Sequence, residues 1–174
     1  ALVVSDMSRF WMRQDLVIPH LVAYLHTVCG VSYERLTIVV ANGTHLGGSE
    51  QELRTLVTDA VYDRVKVKNH DCEAKDLVYL GTTPHGTPVS IDRTAAEADL
   101  VVCLGAVTHH VMAGFGGGRK SILPGISGRE TIFHNHAFSL DAAQLRSNPA
   151  IGNGVLKGNP LHEDMCEAAG LVKN

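Results

Sequence analysis

The chain has 174 residues, 45% of them hydrophobic and 19% charged, with a formal net charge of -3. That length can bury a sizeable core, the composition excludes a disordered tail, and the slight negative charge excludes general attraction to nucleic acid or anionic membrane. No apolar run matches a membrane span or a signal peptide, and four scattered cysteines (Cys29, Cys72, Cys103 and Cys166) show no C-x-x-C spacing, which argues against a disulfide framework and fits the cytoplasm.

Taken in chain order, Ala1 to Ser5 reads as a short buried strand and Asp6 to Gln14 as a polar and aromatic loop. Pro19 suits a helix's first turn, and Leu21, Val22, Leu25, Val28 and Cys29 follow at helical spacing up to Gly30, a natural stop. Leu36 to Ala41 is a β-branched run expected to form a central strand, with Asn42 to His45 as the loop at its carboxyl end. Ser49 and Glu52 have capping-box spacing, ahead of a single helix face made by Leu53, Leu56, Val57, Ala60 and Val61. Val65 to Val67 suggests a further strand. Leu77 to Leu80 and Thr87 to Ile91 flank Pro84-His85-Gly86 as a hairpin, and Thr94 to Ala98 has room for a helical turn. Leu100 to Leu104 is the second clear candidate for a buried strand. A glycine-rich loop, Gly105 to Gly128, leads to a helix over Arg129 to His136, and Asn159-Pro160 starts a last helix over Leu161 to Ala169, with Glu163 and Asp164 in its first turn.

Strands alternating with helices predict an α/β fold, a mostly parallel sheet with helices on both faces, Rossmann-like, over a single domain of residues 1–174. The chain starts on an apolar run and ends just after a helical pattern, so it reads as a piece of a longer protein. In such sheets ligands bind beyond the carboxyl ends of the strands. Three segments fall there: Asp6 to Arg9, Asn42 to His45, and Thr108 to Lys120.

The third segment is the richest in chemistry. Gly116, Gly117 and Gly118 allow close backbone approach, and Arg119 and Lys120 add positive charge, a composition that suits a phosphate. A P-loop fits poorly: Gly114, Lys120 and Ser121 match its pattern, but Arg119 stands where its second glycine belongs and Pro124 interrupts the helix that should follow. Of ten histidines, five are candidates for acid–base or metal chemistry: His45, His109, His110, His134 and His136. The other five read as structural or surface residues. No H-E-x-x-H supports a zinc hydrolase. Asp6 and Arg9 can pair with each other, or can offer a ligand an acceptor and an anion clamp.

Ser5-Asp6-Met7-Ser8-Arg9, Asn42-Gly43-Thr44-His45, the run from His110 through Gly114-Phe115-Gly116-Gly117-Gly118-Arg119-Lys120 to Leu123-Pro124-Gly125, and Arg129-Glu130-Thr131-Ile132 followed by Asn135-His136 occur in one order. That ordered set resembles the lactate racemases and related epimerases that carry a nickel-pincer nucleotide, along nearly the whole chain but over only part of a family member. Ser8 and Phe10 depart from the family's usual threonine and proline.

The resemblance implies a racemase or epimerase that inverts a 2-hydroxy acid by proton-coupled hydride transfer. Lys120 matches the lysine that anchors the cofactor (a nickel pyridinium-3,5-bisthiocarboxylate mononucleotide) through a thioamide, and His136 matches the nickel ligand. His45 and His110 match two acid–base histidines. Asp6, Met7, Ser8 and Arg9 match a loop that contacts cofactor or substrate, and the phosphate gives Gly116, Gly117 and Gly118 a ligand. The implied partners are a small 2-hydroxy acid, cofactor maturation enzymes and a C-terminal domain of the same protein, with no nucleic acid and no membrane. A recombinant fragment is expected without cofactor and inactive alone. The alternative is a non-catalytic phosphate- or nucleotide-binding module.

Overall fold

A computed structural model describes residues 1–172; Lys173 and Asn174, included in the expected single domain, lie outside the described residues. Strand β1 (Leu2–Ser5) leads through a 3-10 turn (Met7–Met12) into helix α1 (Gln14–Thr27) and then strand β2 (Thr37–Ala41). Helices α2 (Glu50–Val57) and α3 (Asp59–Tyr62) connect it to strand β3 (Lys66–Asn69). A hairpin of β4 (Val78–Thr82) and β5 (Pro88–Ile91) follows, then α4 (Arg93–Ala96) and β6 (Val102–Leu104). Beyond it lie the short ladder β7 (His109–His110) and β8 (Gly114–Phe115), a 3-10 turn (Gly118–Ser121), α5 (Arg129–Ala137), a second short ladder of β9 (Leu140–Asp141) and β10 (Arg146–Ser147), and α6 (Pro160–Gly170).

The central sheet has the order β3-β2-β1-β6, and every pairing in it is parallel. Side chains alternate across it, as strand geometry requires. Leu2, Val4, Ile38 and Val40 face one core with Ile18 and Val22 of α1 and Leu53, Leu56 and Val57 of α2. Val3 and Val39 face another, closed by Val89 and Ile91 of β5, Leu123, Ile126, and Leu161 and Met165 of α6. The expected α/β architecture, helices on both faces included, is the observed one. No helix among the described residues is long and apolar enough to cross a membrane.

Several boundaries differ from expectation for physical reasons. Helix α1 begins upstream of Pro19, which lies inside it. Its start is set by Arg13 in the left-handed region, bonded to Asp15, and by Gln14, whose buried amide exchanges hydrogen bonds with the Ser5 backbone. The helix seen in Leu53 to Val61 is two helices, broken at Thr58, which has a φ of 76°. The capping box holds: Ser49 Oγ accepts from Glu52 N, and Glu52 accepts from Ser49 N. β6 is half-buried, because it is the sheet's edge. Asp164 is fully buried and accepts hydrogen bonds from Thr83, Thr87 and Asn135, so it ties α6 to the hairpin and α5 instead of serving the helix end.

The buried carboxylate of Asp92 joins sheet to site. It accepts from Lys68 Nζ at 2.8 Å, caps α4 through Thr94 N, and lies 3.5 Å from His70 Nδ1. Its backbone N–H bonds Ile126 O, and His70 Nε2 donates to Ser127 O, so both residues brace the segment behind the cleft. Burial pushes the Asp92 carboxyl up, but the adjacent His70 ring, the bond from Lys68 and the Lys68 charge outweigh it and hold the group well below the usual carboxylate range. A carboxyl lowered in this way adds stability that is complete above about pH 5 and is lost as pH falls through its folded value. Asp92→Ala is expected to cost on the order of 3 kcal/mol in denaturant unfolding at about pH 7, and less in acid. An equal loss at both pH values would contradict the ion-pair account.

Candidate functional site

The carboxyl ends of β1, β2 and β6 open onto one cleft of about 520 Å³, within the usual range for small-molecule sites. Its wall brings together Asp6 and Arg9 from the first loop, His45 from the second, and His110, Gly116, Gly117 and Lys120 from the third, with His136 of α5. Met7 and Ser8 line an adjoining depression that shares Asp6 and His45 with the cleft, and Gly118 lines neither. His109 reaches the cleft wall, stacked on Phe115, whereas His134 is exposed on α5 outside it. Trp11 and Phe133, 59% and 56% exposed, also line the cleft; they carried no motif and became legible only through their position. Buried Asn42 lines both depressions, and its Oδ1 has no hydrogen-bond partner among the described residues.

The loops are docked to one another. Gly43 N donates to Gly125 O at 2.9 Å, and Gly125 N donates to Lys120 O at 3.0 Å, joining the second loop to the glycine-rich segment. Gly117 has a φ of 76°, and a Cβ there would lie 2.9 Å from Ala106 O, so the backbones meet too closely for any other residue. Arg119 does not line the cleft. Its guanidinium turns back to Ala113 O and Phe115 O, at 2.7 and 3.1 Å, and latches the loop. The segment runs into a 3-10 turn instead of the long helix that a P-loop requires.

Asp6 is paired with His45, not with Arg9. Its Oδ2 lies 2.5 Å from His45 Nδ1, while its Oδ1 accepts from Ser8 Oγ, which in turn accepts from Arg9. A carboxylate on Nδ1 orients the ring. His136 Nδ1 faces Ile132 O at 2.9 Å. A carbonyl only accepts, so this nitrogen carries the hydrogen and Nε2 keeps a lone pair, the form a metal ligand needs. Burial lowers the His136 imidazole's affinity for a proton against that carbonyl bond, which raises it.

His110 and Lys120 are the groups most altered by the site. Burial first, and then the charges of Lys120 and Arg9, push the His110 imidazole down to about 4. Burial, followed by Arg119 and Arg9, pushes the Lys120 amine down to about 8. Among the described residues no carboxylate pairs with Lys120. A desolvated, unpaired lysine in a cleft is destabilising and is a nucleophile near neutral pH, a combination characteristic of functional sites.

Residues 1–147 match the family described as lactate racemase N-terminal domain. The chain is 38% identical over 133 residues to a lactate racemase of Thermoanaerobacterium thermosaccharolyticum, covering 76% of this chain and 30% of that protein. It is 33% identical over 173 residues to the lactate racemase of Lactiplantibacillus plantarum, covering 99% of this chain and 39% of that protein. The matched part of the chain therefore spans 30–39% of these two relatives' own length. The lactate racemase apoprotein of T. thermosaccharolyticum superposes with a TM-score of 0.87 at 32% identity, over 98% of this chain and 39% of the other. A Thermotoga maritima protein superposes with a TM-score of 0.73 at 22% identity, over 98% and 42% of the two chains, a likeness of fold.

Lys120→Met tests the cost of the buried amine. The folded state lowers this amine's proton affinity, so its charge opposes folding below about pH 8, and the penalty fades as pH rises towards the unfolded value near 10.5. The substitution is expected to stabilise the protein by about 1–3 kcal/mol at about pH 7 in thermal or denaturant unfolding, and by much less at about pH 10. A loss of stability at about pH 7 would contradict this account.

Proposed function

The chain belongs to the lactate racemase N-terminal domain family, and on that premise we propose that it is the cofactor-bearing part of an isomerase that inverts a 2-hydroxy acid through its 2-oxo acid. The observation that carries the reading is the meeting of an unpaired Lys120 of lowered proton affinity, a His136 whose Nε2 lone pair is free, and the Asp6–His45 pair around one cleft.

These residues fit a nickel-pincer nucleotide. Lys120, neutral for much of its time near pH 8, suits covalent anchoring as a thioamide, and His136 Nε2 suits nickel, a metal for which imidazole is a ready ligand. Gly116 and Gly117 bring bare backbone to the same wall for a phosphate. When bound, such a group supplies reversible hydride acceptance, which no side chain here provides.

The chain's own residues handle protons and orientation. Nε2 of His45 takes the proton from the substrate hydroxyl as the carbon–oxygen bond becomes a carbonyl, and Asp6 steadies the imidazolium that results. Arg9 offers a guanidinium to the substrate carboxylate. His110 belongs to the same acid–base set. Closure over the cleft falls to the remainder of the full-length protein. Four free cysteines suit a reducing compartment, and the setting we infer is cytoplasmic.

The test is intact mass and nickel content of the full-length protein co-produced with cofactor-making enzymes, measured alongside Lys120→Ala. A mass adduct and nickel in the parent, both lost in the variant, are expected. A clean mass without nickel, while the same enzymes load a known racemase, would return the chain to a phosphate- or nucleotide-binding module. In the loaded protein His45→Gln is expected to keep nickel and adduct but to lose about 10²–10⁴ in racemisation rate.

A further inference from the structure

Asp6 and Arg9 carry opposite charges three residues apart, and the backbone draws them closer, because Arg9 N donates to Asp6 O at 3.0 Å at the start of the 3-10 turn. A carboxylate and a guanidinium so placed ordinarily bond directly to each other. Among the described residues the carboxylate of Asp6 instead has its charged contact with His45. The hydroxyl of Ser8 stands between the two charges. Its Oγ donates to Asp6 Oδ1 at 2.5 Å and accepts from Arg9 Nη1 at 2.7 Å. A hydroxyl has one hydrogen and spare lone pairs, so it satisfies the carboxylate and the guanidinium at once. Each bond has a charged partner and is of the stronger kind.

The interposed hydroxyl has two consequences. Asp6 keeps Oδ2 for His45 Nδ1, 39 residues along the chain. Arg9 is tied through one nitrogen, so most of its five N–H donors stay unspent at the wall of the cleft. Ser8 lines the adjoining depression, which shares Asp6 with the cleft, and is absent from the cleft wall. Its hydroxyl therefore acts on the cleft through its two neighbours. Without it, a fork of two parallel N–H···O bonds from Arg9 to Asp6 is the stronger arrangement. That fork would draw the carboxylate from His45 and spend the guanidinium inside the loop. Threonine could do the same work as Ser8; a side chain without a hydroxyl could not.

We propose that Ser8 is a positioning residue whose hydroxyl keeps Arg9 off Asp6, so that the carboxylate serves His45 and the guanidinium stays open to an anion in the cleft. The spacing stands on the geometry of the first loop; that the anion is a hydroxy acid rests on the racemase reading. Ser8 touches no reacting atom. Its loss is felt at two separate groups, the His45 ring and the anion on Arg9, and removing Arg9 as well relieves the first. A residue that merely packs in the loop would show neither the pairing of the two effects nor that relief.

The test uses the full-length protein without cofactor, labelled with nitrogen-15 at histidine, and His45→Gln to assign the ring. The His45 Nδ1–H, bonded to a carboxylate, is expected to give a downfield proton signal. Ser8→Val has the shape of threonine without the hydroxyl. It is expected to lose that signal, Ser8→Thr to keep it, and Ser8→Val combined with Arg9→Gln to recover it, because the competing guanidinium is gone. Calorimetric titration with oxalate reads the other end. Ser8→Val is expected to bind about 10–10²-fold more weakly than the unsubstituted protein, Arg9→Gln at least as weakly, and Ser8→Thr near the unsubstituted value. A His45 signal unchanged in Ser8→Val, still missing in the double variant, or absent from the unsubstituted protein overturns the proposal, as does oxalate binding indifferent to Arg9→Gln. Should Ser8→Val not fold, Ser8→Ala carries the same expectations. Missing nickel and adduct would sink the racemase reading and leave the spacing by Ser8 standing, whereas an unchanged His45 signal in Ser8→Val would sink the spacing and leave the racemase reading standing.

Discussion

The site depends on β1 running parallel to both of its neighbours. Val3 pairs with Val39 on one side and Cys103 on the other, so Ser5, Ala41 and Leu104 finish at the same edge of the sheet. Parallel strands need crossover connections, and each carboxyl end therefore opens into a loop on that edge. This is how Asp6 meets His45, 39 residues away, and how both come to share a wall with Lys120. The two hydrophobic cores, one on each face, hold the strands in this register.

Electrostatics give the cleft its character. Arg9, Lys120 and the imidazoles surround it, and the carboxylate of Asp6 is already engaged by His45 and Ser8. An anion is the natural guest for such a surface. The cost falls on the protein, because burial works against the charge on Lys120 and nothing described here compensates it. Glycine backbone lets the loops approach each other, while Arg119 and Asn159 latch them from behind. The cleft is therefore shaped by internal hydrogen bonds.

Local signals were readable wherever the partner is close in sequence. Ser49 with Glu52, Asn159 ahead of Pro160, and the turn between β4 and β5 all act within a few residues, and each reads correctly from the chain alone. Two readings failed because the deciding partner lies farther along the chain. The start of α1 is fixed by Gln14 bonding to Ser5, and Asp164 is claimed by Thr83, Thr87 and Asn135. Arg119 looked like a phosphate ligand because it adjoins Lys120, yet neighbouring residues in a tight turn point in different directions, and its guanidinium found carbonyls instead.

By itself the sequence determined the alternation of strands and helices, the three strand-end loops, and the ordered residue types that mark the family. Hydrophobic period, capping and glycine content are local properties, so the chain displays them directly. Only the tertiary structure decided which of those residues face the cleft, that Asp6 serves His45, and which nitrogen of each imidazole carries the hydrogen. Histidine has two nearly equivalent nitrogens, and the choice between them belongs to whatever group packs against Nδ1. For His45 that group is a carboxylate from another strand's loop, and for His136 it is the Ile132 carbonyl of its own helix.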